Sequence, residues 1–360
     1  MTDIKSYYNI EKMTINAEIT GIKYSPLLCE SLNTYKEEDF EKVLHSDTVF
    51  LLNIRRQTIA VSKWVSPKRT RSYPYARVYN TLNHSGKKIT IIPFVKDEGA
   101  DGDRDFIQWD TISLMSLLGV YVIVAFYSKA NKSTRYPNKI SEQKFDCEFV
   151  FEEIEKLLSY QSDALHWNIE QISNIAIPAN LAKHHYARIQ NVTDVKMHSL
   201  SGIENRIKNV LQGKNNFMNL SRNSAKAAQI RETQTIQPKE RVTDGIKAQI
   251  NITNYLGGTY YLTSDEAKVV DKDIYIIEAK HTKSGSLPSI DDIKDGFIKM
   301  VLFSNLKNVY VDNIKLNPVA ILKLTSENTE AMIDKEILNN IIMEAETNSF
   351  KLILPDGSVR

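Results

Sequence analysis

Cysteine is scarce in this chain of 360 residues, which carries only Cys29 and Cys147. The two stand far apart and in no spacing typical of a metal module, which excludes a zinc-finger-like domain. They allow one disulfide or two free thiols, and a reducing cytosol favours the free thiols.

Long apolar runs and a strong net charge are also missing. The longest apolar run, 117–127, is the length of a strand and contains Gly119, so no membrane-spanning helix is predicted. The first five residues lack the apolar core of a signal peptide. We therefore expect a soluble, cytoplasmic protein with no membrane partner. Because the net charge is only +2, any nucleic-acid surface must be local.

Two local stretches are strongly basic. Residues 63–88 hold seven Lys or Arg and no acid, with Tyr73, Tyr75 and Tyr79 interleaved. Residues 206–250 hold nine Lys or Arg against three acids. Phosphate contacts from Lys and Arg supply much of the affinity for DNA, so both stretches are candidates for a DNA-binding surface. The alternative is an ordinary solvated face.

Between them lies an apolar pattern interrupted by acids. A strand is predicted at 88–95, an acidic segment at Asp97 to Asp110, a helix at 111–118 and a second strand at 120–127. Asp110 is placed to cap the helix and Gly119 to end it. Continuous apolar strands joined through a helix predict a parallel pair that is buried on both faces. Residues 150–212 are predicted to be helical.

The most informative stretch is 258–281, in which two β-prone runs flank the polar pair Asp271-Lys272. A two-residue loop at this pair would place Val270 opposite Asp273. The same register would place Asp265 opposite Glu278, at about 5 Å between Cβ atoms. Lys280 would lie on the same face, because side chains alternate along a strand. A one-residue slip would make Glu266 the better partner of Glu278.

This convergence has a chemical consequence. Two adjacent carboxylates repel each other unless a cation lies between them. Mg²⁺ accepts a few carboxylate oxygens and leaves room for water and a phosphate oxygen. A neighbouring ammonium could orient the attacking water and offset transition-state charge. The pattern therefore favours metal-dependent phosphodiester hydrolysis.

The spacing of Asp265 and Glu278-Ala279-Lys280 after an apolar strand resembles the signature of the PD-(D/E)XK nucleases, and the wider layout resembles a type II restriction endonuclease. Ser264 stands where the family name has proline, which is often absent. The resemblance implies an α/β fold with a restriction-endonuclease-like core, a central mixed β-sheet flanked by helices, and additional N-terminal α/β elements. It also implies Mg²⁺ held by Asp265, Glu278 and the carbonyl of Ala279, with Lys280 positioning the water.

On this basis we expect residues 1–200 to form an N-terminal α/β region for DNA recognition and dimer contacts, and 201–360 to form the nuclease core. The implied partners are double-stranded DNA, a second copy in a homodimer and, genetically, a DNA methyltransferase of the same restriction-modification system. Glu240 is a candidate extra carboxylate. The candidate DNA contacts are Lys68, Arg69, Arg71, Arg77, Arg104, Arg222, Lys226, Arg231, Lys283 and Ser284.

Several alternatives stay open. Asp101, Asp103 and Asp105 imitate an EF-hand but lack its later Gly and Glu, so they are interpreted as a polar loop or a DNA contact. The pair His184-His185 and His198 have no cysteine nearby and are expected to be structural. The chain could instead be a repair or recombination nuclease of the same fold, a non-catalytic DNA-binding module, or a protein-interaction scaffold.

Overall fold

In a computed structural model of the chain, the described residues are 13–68, 74–199, 201–211, 246–254, 259–328 and 334–360. Their strands, in chain order, are β1 (Met13–Ile19), β2 (Thr34–Lys36), β3 (Val49–Ile54), β4 (Gln57–Lys63), β5 (Lys88–Pro93), β6 (Val95–Asp97), β7 (Arg104–Phe106), β8 (Val120–Ala125), β9 (Tyr127–Lys132), β10 (Ile140–Phe145), β11 (Ile246–Asn254), β12 (Thr259–Val270), β13 (Asp273–Thr282), β14 (Lys307–Val311), β15 (Ile314–Ser326) and β16 (Lys351–Ile353).

A short 3-10 turn at Glu37–Asp39 precedes the first α-helix. The α-helices are α1 (Phe40–Ser46), α2 (Pro74–Tyr79), α3 (Trp109–Leu117), α4 (Cys147–Ser159), α5 (Ala164–Ser173), α6 (Ala176–Thr193), α7 (Ser201–Leu211), α8 (Ile290–Phe303) and α9 (Lys335–Thr347). Among the described helices, none combines the length and the apolar character needed to cross a membrane.

The chain divides into two compact units. The hairpin unit comprises Met1–Leu28 with Arg222–Arg360, and the middle unit comprises Cys29–Ser221. The predicted boundary between residues 200 and 201 differs from this division. Helix α7 belongs to the middle unit, and β1 belongs to the hairpin unit. The physical reason is that β1 pairs in parallel with β11, more than 200 residues later in the chain, and no local pattern signals such a pairing.

The middle unit is built on a five-stranded mixed sheet in the order β2-β3-β4-β5-β8. The predicted parallel apolar pair is confirmed, because β5 and β8 run side by side in parallel and both are almost wholly buried. The intervening helix α3 starts at Trp109, with Gln108 as its N-cap and Asp110 buried in its first turn. The predicted capping role of Asp110 is therefore wrong. The predicted end at Gly119 is confirmed, where the φ of +67° suits glycine.

The hairpin unit contains a seven-stranded mixed sheet in the order β13-β12-β11-β1-β14-β15-β16. An additional pairing of β13 with β15 closes six of these strands into a ring. The chain thus has the mixed α/β architecture that was predicted, with a central mixed sheet and helices, and the closure of the ring was not predicted.

The β12–β13 hairpin follows the predicted register. Val270 pairs with Asp273, and the ladder continues to Glu266 opposite Ile277. Asp271 in the turn has a φ of +56°, a left-handed conformation that aspartate tolerates better than most residues. After β13 the chain passes through α8 and returns in β15, which is parallel to β13 over ten residue pairs. This crossover brings α8 against both strands.

Candidate functional site

The functional face of β13 is set by the alternation of its side chains. Ile274 and Ile276 are fully buried, and the next two positions on that face are Glu278 and Lys280. On the adjacent parallel strand β15, Leu322 lies beside Glu278 and Leu324 lies beside Lys280. Both leucines are fully buried. An acid and a base therefore end an apolar row, where water is largely excluded.

Asp265 lies on this face because the β12–β13 ladder keeps its register up to Glu266 opposite Ile277, and side chains alternate along β12. On its other edge β12 has a bulge: Ala248 of β11 pairs with Ser264, but Ile246 pairs with Ala267, so Asp265 and Glu266 together oppose the single residue Lys247. Oδ2 of Asp265 accepts a hydrogen bond of 2.7 Å from the backbone N–H of Ala279, between Glu278 and Lys280. The carbonyl of Ala279 lies on the same side of its strand as this N–H, which is the side facing Asp265.

Glu266, the alternative upstream acid, points away from this site. Its carboxylate lies 3.8 Å from Nζ of Lys323. Lys323 pairs with Ala279, so both residues lie on the face of the sheet opposite to that of Glu278 and Lys280. The structure thus places Asp265, and not Glu266, next to Glu278, as the hairpin register predicts.

Helix α8 adds two charged side chains that sequence reasoning missed. Nζ of Lys299 lies 2.7 Å from Oε2 of Glu278. Nζ of Lys280 lies 3.2 Å from Oε1 of Glu278 and 2.8 Å from Oδ2 of Asp295. Asp295 and Lys299 are four residues apart and so share one helix face. That spacing is the signal that could have found them, given that α8 packs on β13.

Gly296 allows this close approach of helix and strand. A Cβ at position 296 would lie 2.8 Å from Cδ1 of Leu322 and 3.4 Å from Cε of Lys280. The first distance is shorter than van der Waals contact, so either the buried Leu322 side chain or α8 would have to shift. The stem of Lys280 therefore runs along a surface that only glycine leaves open.

The electrostatics of the cluster follow from burial and mutual contact. Burial raises the pKa of Glu278, Lys299 opposes this effect, and the Asp265 carboxylate adds to it. Burial alone would lower the pKa of Lys280, but the carboxylates of Glu278 and Asp295 outweigh burial and raise it. The pKa of Lys299 is likewise raised by Glu278 and Asp265 against the effect of burial. Lys280 and Lys299 are therefore ammonium ions at neutral pH.

The donor set matches what Mg²⁺ requires. Asp265 and Glu278 supply hard carboxylate oxygens, and the carbonyl of Ala279, the residue after Glu278, offers a third oxygen. The cluster has three acids and two ammonium groups, which give a formal charge of −1. Its members are Asp265, Glu278, Asp295, Lys280 and Lys299. The ammonium of Lys299 already occupies one cation position beside Glu278, so a metal ion would compete with it for that carboxylate.

The predicted DNA contacts fall into three groups. Lys68, Lys283 and Ser284 are exposed, and the Lys68 ammonium lies 3.9 Å from Asp105. Arg77 and Arg104 instead bind their own unit: Arg77 donates to the carbonyl of Lys63, and Arg104 donates to the carbonyl of Ser199. The remaining predicted residues lie outside the described part of the chain: Arg69, Arg71, Arg222, Lys226, Arg231 and the candidate carboxylate Glu240.

The acidic segment and the histidines have structural partners. Asp97 is buried and accepts from the backbone N–H of Gly99, and its Oδ1 lies 2.8 Å from Nδ1 of His198. His185 stacks on Phe126. His281 contacts Thr325 on the face opposite Lys280, as alternation predicts. Cys29 and Cys147 are both partly buried, and no disulfide joins them.

Comparison with known proteins gave no match: no protein-family model fits the chain, and no curated protein or solved structure resembles it significantly.

Proposed function

We propose that this protein is a Mg²⁺-dependent endonuclease that hydrolyses phosphodiester bonds at a specific sequence in double-stranded DNA, as a type II restriction endonuclease of the PD-(D/E)XK class does. The observation that carries the proposal is the convergence of Asp265, Glu278 and Lys280 on one face of the hairpin. The mixed sheet and the helix after the hairpin agree with the central mixed sheet flanked by helices that the resemblance implies, whereas the closure of six strands into a ring is not part of that expectation.

In this proposal the carboxylates of Asp265 and Glu278 and the carbonyl of Ala279 hold the metal ion. Bound there, Mg²⁺ would polarise the scissile phosphate and acidify a coordinated water. Lys280 is a permanent ammonium, so it would donate hydrogen bonds to the attacking water or to a phosphate oxygen. Its 2.8 Å contact with Asp295 fixes the direction of that donor.

The proposed partners are double-stranded DNA and a second copy of the chain. Exposed Lys283 and Ser284 directly follow β13, which places them near the end of the strand that carries Glu278 and Lys280. Lys68 and the neighbouring Arg69 and Arg71 belong to the acid-free basic segment. We expect these residues to contact phosphates.

One observation favours a second candidate, a DNA-binding module without catalysis. Glu278 already contacts two ammonium groups, so the cluster balances most of its charge without a metal ion. In such a module the same five side chains would serve only to hold α8 against the sheet.

The test uses the full chain with plasmid and phage DNA. We expect discrete fragments in Mg²⁺ and none in EDTA, with cleavage abolished in Glu278→Gln and Lys280→Met. The matched control is Lys268→Met, which removes an exposed lysine from the same hairpin. Wild-type-like cutting by either site variant would refute the assignment.

Binding is measured separately, in Ca²⁺ and over a range of salt concentrations. Changing Arg69 and Arg71 together to Ala should reduce the salt slope by up to about two, roughly one for each lost phosphate contact. Salt-dependent binding without cleavage by the wild-type protein would favour the non-catalytic module. If the wild-type protein neither binds nor cleaves DNA, both candidate functions are contradicted.

A further inference from the structure

A second cluster of side chains with metal-ligand chemistry lies in the middle unit. Glu41 and His45 stand four residues apart on α1 and share a helix face. Cys147 is the first residue of α4. One ligand atom from each of these three residues lies within 4.8 Å of the others. The proposed nuclease does not use this cluster, which belongs to the other compact unit.

The spacing of the donors fits a tetrahedral ion. Sγ of Cys147 lies 3.4 Å from Nε2 of His45. A Zn²⁺ ion with bonds of about 2.3 Å to sulfur and about 2.0 Å to nitrogen places those two atoms roughly 3.5 Å apart. Hence the thiol and the imidazole already stand at the separation that one zinc ion requires. Glu41 is exposed, so its carboxylate is free to adjust.

The surroundings favour a cation. The cluster lines a cavity of about 490 Å³. The cavity wall has one lysine, Lys129, against five carboxylates, those of Glu37, Glu38, Glu41, Asp146 and Glu148. The cavity is open to solvent, which leaves a fourth coordination position of the ion accessible to water or to a ligand.

The state of the thiol argues against a nucleophilic cysteine paired with a histidine. Burial raises the pKa of Cys147 to about 11, and the carboxylates of Glu41 and Asp146 add to the effect. Reactive cysteines lie in electropositive surroundings that lower the pKa. A bound metal ion instead replaces the thiol proton, which passes to solvent.

We propose that Glu41, His45 and Cys147 form a three-ligand site for Zn²⁺ or a similar transition-metal ion. Thiolate and imidazole donors favour such ions, whereas Mg²⁺ prefers oxygen alone. The ion would connect α1 to α4. On binding, Nε2 of His45 exchanges its 3.3 Å contact with the carbonyl of Phe145 for the metal.

Cobalt is the probe for the test, because thiolate ligation to Co²⁺ gives a charge-transfer absorption that other ligands do not. The full chain, freed of metal with a chelator, is titrated with Co²⁺ and then with Zn²⁺. We expect one equivalent to produce the charge-transfer band and Zn²⁺ to abolish it. Cys147→Ser should remove the band, and Cys29→Ser, the matched control at the other cysteine, should retain it.

Two further variants keep the proposal falsifiable if Cys147→Ser fails to fold. Glu41→Gln and His45→Ala, on the short helix α1, should each weaken the Co²⁺ affinity read from the charge-transfer band at least tenfold, and Glu152→Gln, at an exposed carboxylate of α4 outside the cluster, should leave it unchanged. No charge-transfer band in the wild-type protein would overturn the proposal. So would a band that survives in Cys147→Ser, or Co²⁺ affinity unaltered in both Glu41→Gln and His45→Ala.

Discussion

Replacing Lys299 by methionine removes the ammonium that contacts Glu278 and keeps most of the apolar stem. The side chain of Glu278 is 3% exposed and that of Lys299 is 22% exposed, so the pair is largely desolvated. Removing one partner of a buried pair costs about 3–5 kcal/mol when the other charge is left alone. Here Lys280 still lies 3.2 Å from Glu278, so we expect a smaller loss, about 2 kcal/mol.

The loss should be visible as a lower unfolding temperature in EDTA. For a unit of this size, 1 kcal/mol corresponds to roughly 2–4 °C, so the Tm of the hairpin unit should fall by about 4–8 °C. Lys268→Met is again the control, because that lysine is exposed on the same hairpin. In a Glu278→Gln background, Lys299→Met should cost much less, since the carboxylate that it stabilises is gone.

Lys299→Met should strengthen metal binding at the cluster, although it weakens the stability of the hairpin unit. Without Lys299 the formal charge of the cluster changes from −1 to −2. A metal ion then no longer competes with an ammonium for Glu278. We expect Mn²⁺, as a reporter for Mg²⁺, to bind about tenfold more tightly, equivalent to about 1.4 kcal/mol. Mg²⁺ should therefore raise the Tm of the variant more than that of the wild-type protein.

Two results would refute this reasoning. An equal Mg²⁺ response in variant and wild type would show that Lys299 does not occupy a position that the metal needs. Equal destabilisation by Lys299→Met with and without the Glu278 carboxylate would show that the cost comes from packing and not from the ion pair.

Three further predictions concern packing and titration. Gly296→Ala should destabilise the hairpin unit by about 1–3 kcal/mol and reduce cleavage, because the new Cβ would lie 2.8 Å from Cδ1 of Leu322. Gly21→Ala is the control, because a Cβ there meets no atom within 4 Å. Equal stability of the two variants would contradict this prediction. Because burial raises the pKa of Glu278, protons should displace Mn²⁺ at a pH above the ordinary glutamate value of about 4.3, and a fall only at or below that value would be inconsistent with the buried site. Burial, helped by Arg77, lowers the pKa of Lys63 from 10.5 to about 8, so the folded middle unit loses this proton before the unfolded chain does, and its stability should rise by about 3 kcal/mol between these pH values. Lys63→Met should remove that rise, and an unchanged pH dependence of unfolding would show that Lys63 is not its source.

The sequence by itself determined the hairpin and its register. Alternating apolar residues ending in Glu278 and Lys280, with a polar pair at Asp271-Lys272, predict the pairing that the hairpin has, in which Ile274 and Ile276 are buried. It also determined the parallel pair of β5 and β8, since apolar runs without polar alternation must be covered on both faces. These features are local, because period and turn chemistry act over a few residues.

Tertiary structure alone decided the remainder of the site. The bulge in β12 opposite Lys247 depends on the pairing of β12 with β11, and a strand cannot signal its partner's register. Asp295 contacts Lys280, and Lys299 contacts Glu278, because the crossover through α8 folds back on β13, a contact set by packing around Gly296. The guanidinium of Arg104 donates to the carbonyl of Ser199, 95 residues away in the chain, a partner that the sequence did not predict. Contacts between residues so distant depend on how whole elements pack, and neither charge nor spacing along the chain records that packing.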